Sequence, residues 1–212
     1  MIVRHRWFAL SLLLLACPAA AVAQVGTSRG LLDANTVPAA TLEQLPGMTP
    51  ALAAAIIEAR PFAGITELEA LLAARGLPTE AREAFYRRAF VHVNLNTASA
   101  EEIMLIPGAG RKMAHEFEEY RPWRTWSQFD KEIGKYVGAE ETARLAQYGF
   151  IPVNLNTATD EAILSIPGVG QRMLREFKEY RPYRAMAQFE REIGKYVDAG
   201  EVARLARYVT IE

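Results

Sequence analysis

The sequence predicts an all-α chain: three tandem repeats of about 60 residues, each built on a helical hairpin, behind a signal peptide. Two observations predict it. Val93-Asn94-Leu95-Asn96-Thr97-Ala98 returns sixty positions later as Val153-Asn154-Leu155-Asn156-Thr157-Ala158, and 36 of the 60 positions aligned between 93–152 and 153–212 are identical. Such a match makes the two segments copies of one unit. Within each copy, apolar residues recur at helical spacing on both sides of a Pro-Gly turn, and no alternating run is long enough to predict a strand. A weaker copy covers 32–92, where Asp33-Ala34-Asn35-Thr36 stands for the Asn-Leu-Asn-Thr stretch and Leu45-Pro46-Gly47-Met48-Thr49 for the turn.

Residues 1–23 read as a secretory leader. Arg4, His5 and Arg6 form a basic start, Trp7 to Ala16 is a short apolar run, Pro18 breaks it, and Ala21-Val22-Ala23 is a small-residue cleavage site. The run is too short to span a membrane. A rival reading takes Leu14-Leu15-Ala16-Cys17 as the box ahead of a lipidated cysteine; cleavage after Ala23 is the favoured alternative. Either way the chain is expected to be exported, periplasmic or at the cell surface. Cys17 is the only cysteine, so cleavage leaves a chain without disulfides that depends on its apolar core. Residues 24–31 read as a linker around Gly26-Thr27-Ser28-Arg29-Gly30. The composition, half hydrophobic and 9% aromatic, is that of a globular chain. Loss of Arg4 and Arg6 leaves 22 basic against 25 acidic residues, a net charge of −3. Nucleic-acid binders usually carry a basic excess.

The elements of the 93–152 copy follow from local signals. Ser99-Ala100-Glu101-Glu102 is a capping box that opens a short helix with Ile103 and Ile106 on one side. Ile106-Pro107-Gly108-Ala109-Gly110 is the turn. A second helix runs from about Arg111 to Tyr120, with Met113, Ala114, Phe117 and Tyr120 at helical spacing, and Pro122 stops it. A third helix holds Phe129 and Ile133, Gly134 and Gly138 loosen the chain, and a fourth carries Ala143, Leu145 and Tyr148. The 153–212 copy follows the same plan around Ile166-Pro167-Gly168-Val169-Gly170, with Asp198 to Glu201 capping its last helix.

At these residues the chain resembles the helix-hairpin-helix family, and most nearly its ComEA-type competence proteins, exported bacterial receptors for DNA. The likeness lies in Val-Asn-Leu-Asn-Thr-Ala, an acidic helix start, Ile-Pro-Gly-x-Gly and a small residue four positions on, here Ala114. The resemblance implies that turn N–H groups and a neighbouring cation hold backbone phosphates of double-stranded DNA without reading sequence. It maps that role to Gly108, Ala109, Gly110, Arg111 and Lys112, and to Gly168, Val169, Gly170, Gln171 and Arg172. The physics agrees, since a helix N-terminus offers unpaired donors and partial positive charge, and an adjacent cation releases counterions.

Departures from the pattern matter as much. The first copy has Thr49-Pro50 where a second glycine and a donor belong, proline has no N–H, and no cation lies near that turn until Arg60. That copy is expected not to bind phosphate, and it is similar to the extrinsic lumenal photosystem II relative of the same family, which binds other proteins. Leu174 replaces the small residue in the third copy. Arg172, Arg175, Lys178, Arg181 and Arg184 form a basic series, but Glu176 and Glu179 interleave it, which fits a solvated helix face. Trp123, Trp126 and Tyr183 near the Arg-Pro bends fit core filling or a partner interface better than base stacking. Asn94, Asn96, Asn154 and Asn156 fit turn backbone groups. His92 and His115 stand alone, with no role assigned. No catalytic set, cofactor motif or metal-ligand spacing is found, and no small-molecule substrate is implied. Two functions remain open: an exported, non-enzymatic DNA binder, and an exported scaffold or extrinsic subunit docked on a membrane-associated protein complex.

Overall fold

The computed structural model describes residues 30–211. The leader, Cys17 and most of the linker lie outside the described residues. The fold is mainly helical, and it adds something the sequence did not predict: three parallel two-stranded pairs, each closing one of the three segments. The first segment runs β1 (Leu32–Asp33), α1 (Ala39–Leu42), α2 (Pro50–Ala59), α3 (Ile65–Ala74), α4 (Thr79–Tyr86) and β2 (Ala89–Phe90). The second runs β3 (Val93–Asn94), α5 (Ala100–Met104), α6 (Arg111–Glu119), α7 (Trp126–Ala146) and β4 (Gly149–Phe150). The third runs β5 (Val153–Asn154), α8 (Asp160–Leu164), α9 (Gln171–Glu179), α10 (Met186–Ile193), α11 (Ala199–Ala206) and β6 (Val209–Thr210). The strand pairs are β1–β2, β3–β4 and β5–β6. The helical expectation therefore holds for the bulk of the fold, and the short strand pairs are added to it. Each strand is two residues long, too short for alternation to show in sequence, and parallel partners must lie a whole helical crossover apart.

The helix signals act locally as expected. Ser99 and Glu102 form the capping box of α5, and Asp198 caps α11 by accepting from the Glu201 N–H. The span labelled α7 is two helices that meet at Gly138, whose backbone (φ 78°, ψ 172°) is not helical. Asp198, at the corresponding place in the third segment, caps the separate helix α11.

Side-chain clamps fix each segment. The Asn96 amide donates to the Trp123 carbonyl at 2.9 Å and its oxygen accepts from the Trp123 N–H at 2.6 Å. Asn35 does the same with Phe62 at 3.1 and 2.8 Å, and Asn156 with Tyr183 at 2.9 and 2.7 Å. The arginine of each Arg-Pro bend reaches back to the same loop: Arg60 donates to the carbonyls of Ala34 and Val37, Arg121 to those of Leu95 and Ala98, and Arg181 to that of Ala158. The aromatic residues clamped this way are core residues: Trp123 and Tyr183 are buried and pack on Phe129 and Phe189.

The segments close on one another through their strand ends. Phe90 packs edge-on against Tyr148 at 5.0 Å, joining the first to the second. Phe150 packs on Tyr208 at 4.4 Å, joining the second to the third. The Tyr208 hydroxyl then donates to Asp33 Oδ2 at 2.9 Å, joining the third to the first. His92 Nδ1 lies 3.1 Å from the same oxygen, and Arg207 donates to the His92 carbonyl. His92, which the sequence left without a role, is thus part of a buried junction. Burial alone would raise the Asp33 carboxyl, but the bonds from His92, the Asn35 N–H and Tyr208 overcome it and hold it below its ordinary 3.8.

Two outcomes follow for stability. Asn96→Ala leaves the Trp123 N–H and carbonyl unpaired and is expected to cost about 2–3 kcal/mol in urea denaturation. Because the Asp33 carboxyl titrates lower folded than unfolded, its contribution is present above 3.8 and is lost as pH falls through the folded value. Unfolding followed from pH 6 down to pH 2 should therefore show an acid decline that Asp33→Asn flattens.

Candidate nucleic-acid interface

The two turns are built alike. In the second segment Ile106 and Ala109 are buried and anchor the turn, with the Ala109 N–H donating to the Ile106 carbonyl at 2.9 Å. Gly108 sits at φ 84°, in the left-handed region that disfavours a side chain. A β-carbon there would also meet Arg144 Nη2 at 3.0 Å. Gly168 repeats this at φ 79°, with Arg204 Nη2 at 3.0 Å, and Val169 is buried in place of Ala109. These first glycines are required by the turn itself.

The second glycines are not. Gly110 and Gly170 are the N-caps of α6 and α9, at φ −86° and −106° with ψ near 180°, extended backbone open to any residue. A β-carbon at either would meet nothing within 4 Å. No side chain caps either helix, although serine, threonine or aspartate there would satisfy a first-turn N–H. Both turns are exposed at these glycines and at the residues that follow, Arg111 and Lys112 or Gln171 and Arg172. The first segment is the contrast. Thr49 caps α2 by accepting from the Leu52 N–H at 3.2 Å, and Pro50 removes a further donor. Its turn consumes internally what the other two leave facing solvent.

The charges around the turns are partly spent. Beneath Gly108, Arg144 makes a two-point ion pair with Glu141 at 2.6–2.7 Å, and its hydrogen bonds hold the Glu141 carboxyl below the usual carboxylate range. Beneath Gly168, Arg204 pairs the same way with Glu201 but is only 3% exposed. Arg111, Lys112 and Arg172 form no ion pair with any described residue, so their charge remains available. Lys112 Nζ rests over the Tyr136 ring, 5.3 Å from its centroid. In the basic series of the third segment, Lys178 is paired with Asp160 at 2.6 Å and Arg181 is taken by its clamp, as a solvated, structural face requires.

The structure thus brings the sequence-predicted residues together as two separate turns, one on each of two hairpins. A larger cleft of about 850 Å³ lies elsewhere, between the second and third segments, lined by Trp126, Arg124, Pro152 and Ala162 among others and by none of the turn residues. The junction of Asp33, His92 and Tyr208 was not foreseen. Its one sequence signal is Asp33, an acid where the other copies carry Asn94 and Asn154. Among the described residues no group of three or more His, Cys, Asp or Glu side chains is arranged to hold a metal ion, and no helix is long and apolar enough to cross a membrane. No family model, curated protein or solved structure matches the chain.

The two kinds of glycine are separable by mutation. Gly108→Ala forces a side chain into the left-handed region and against Arg144, at an expected cost of about 1–3 kcal/mol. Gly110→Ala meets no obstacle and should stay within about 0.5 kcal/mol of the wild type in thermal or urea unfolding.

Proposed function

We propose that the chain is an exported, non-enzymatic DNA-binding protein of ComEA type, three tandem helix-hairpin-helix repeats in which the turns of the second and third hold the duplex backbone without reading sequence. The observation that carries this reading is the glycine at 110 and 170. Neither backbone angle nor packing calls for glycine there. Its effect is to keep the α6 and α9 N-termini uncapped and approachable, as a backbone anion requires. Unpaired Lys112 and Arg172 stand one residue beyond the first helical position of each, where a cation adds to the field of the helix end. With a net charge of −3 the phosphate contacts must be local, at the turns where Lys112 and Arg172 carry no ion pair. Export would place the protein in the periplasm or at the cell surface, after cleavage at Ala23 or lipidation at Cys17.

Phosphate contacts of this kind give sequence-independent binding whose logarithm falls linearly with the logarithm of salt, by about 0.9 per phosphate neutralised. The mature chain should retain random duplex DNA at low salt and release it as salt rises. Lys112→Glu combined with Arg172→Glu should weaken retention at least tenfold and flatten the salt slope by about two. Gly110→Thr with Gly170→Thr, which copies the capped turn of the first segment, should weaken it while leaving the fold intact. Absence of retention by the wild type at low salt would remove the reading.

The capped turn of the first segment favours a second reading for that part of the chain, a protein-binding module docking on a membrane-associated complex. Co-purification with a fixed membrane partner, together with no DNA retention, would select it.

A further inference from the structure

Tyr136 is one of only three large apolar side chains exposed among the described residues, at 39%, and it lies on α7 rather than on the hairpin. Its ring face is occupied by the Lys112 ammonium. Its hydroxyl meets that of Tyr120 at 3.0 Å, which ties the ring to the far end of α6. Those bonds, from Tyr120 first and then Glu116, push the Tyr136 phenol above its ordinary value. On the other side, Lys135 lies over the Tyr120 ring at 5.6 Å but is already ion-paired with Glu132. Of the two lysines on this tyrosine pair, only Lys112 is uncommitted.

The other segments supply internal comparisons. The third keeps the tyrosine pair, Tyr180 and Tyr196 with hydroxyls 2.8 Å apart, and its paired lysine, Lys195 over Tyr180. Arg172 makes no such contact with Tyr196. In the first segment, the positions of Lys112, Tyr120 and Tyr136 hold Ala51, Ala59 and Arg75, and its turn is the capped one.

We infer that Tyr136 is a positioning residue for the phosphate site of the second segment, its ring holding the Lys112 ammonium in one place before DNA arrives. This rests on the DNA-binding reading above. A lysine carries its charge on a flexible four-carbon stem and loses rotamer freedom when it settles on a phosphate. A cation seated on an aromatic face has surrendered part of that freedom in advance, and pre-ordering of this kind shows up as affinity. Lys112 is itself exposed to solvent. The two turns are then unequal: the second segment presents a held cation and the third a free one.

The experiment uses the mature full-length chain and has two parts. In the DNA-free protein, NMR should show the Lys112 ε-methylene protons shifted upfield by the ring, a shift retained in Tyr136→Phe and lost in Tyr136→Leu. In salt-titrated retention of random duplex DNA, Tyr136→Leu should weaken binding about two- to fivefold. Tyr136→Phe should restore it, and Tyr196→Leu, which removes the matching tyrosine without unseating a cation, should not reproduce the loss. In a Lys112→Ala background Tyr136→Leu should have no further effect. Absence of the upfield shift overturns the inference, as do losses that simply add in the double variant or an equal loss from Tyr196→Leu. Failure of the wild type to bind DNA while the shift is present is a distinct result, which overturns the DNA reading and the inference with it.

Discussion

Each segment is held by one primary amide that bonds in both directions to a single distant residue. Asn35, Asn96 and Asn156 each give an N–H to, and take an N–H from, the peptide groups of the aromatic residue that follows the Arg-Pro bend. These are buried or half-buried backbone groups in an irregular stretch, with no helix or strand to satisfy them, and an unmet pair there would cost as much as several ordinary contacts provide. The amide answers both and fixes the distance between the opening loop and the bend. The arginine before the proline then ties the bend to the carbonyls of that same loop. Because the hairpin lies between loop and bend, its orientation is set by these bonds, and the turn at its tip is presented to solvent.

The three segments differ in where their polar groups are spent. The first closes its turn internally with Thr49 and contributes Asp33 and His92 to the buried junction with the third. The second and third keep Asn94 and Asn154 where Asp33 stands, and those amide oxygens accept only from the local N–H of Asn96 and Asn156. A buried carboxylate is tolerated when its lone pairs are met, and Asp33 has three donors around it. The segment that spends its polar chemistry inward is also the one whose turn is capped by its own threonine.

The helices were legible because their signals are local. Ser99 with Glu102, Asp198 with Glu201, and the Pro-Gly turns are read within four residues. The strands were not, since a two-residue pair whose partners lie more than fifty residues apart leaves no periodic trace. The clamps fall between these cases. Asn96 is legible in sequence as a residue that satisfies turn backbone groups, and the groups it meets are those of Trp123, 27 positions away; the same separation recurs at Asn35 and Phe62 and at Asn156 and Tyr183, so the regularity is present in the sequence although the partner cannot be named from it. At the candidate site, the turn residues and Lys112 were visible as a motif. The distinction between the strained Gly108 and the unconstrained Gly110 needed backbone angles, and Tyr136 needed the fold to bring α7 beside α6.

The bond from Tyr208 to Asp33 has a consequence for how such a chain grows. A row of repeats that contact only their neighbours lengthens by duplication with little penalty, because each new unit adds one more interface of the same kind. Here the last segment returns to the first through Tyr208, Arg207 and the packing of Gly200 near Pro61. A fourth unit inserted into this array would separate the partners of a buried carboxylate. The closed junction therefore makes the first and third segments non-interchangeable, however alike the second and third remain in sequence.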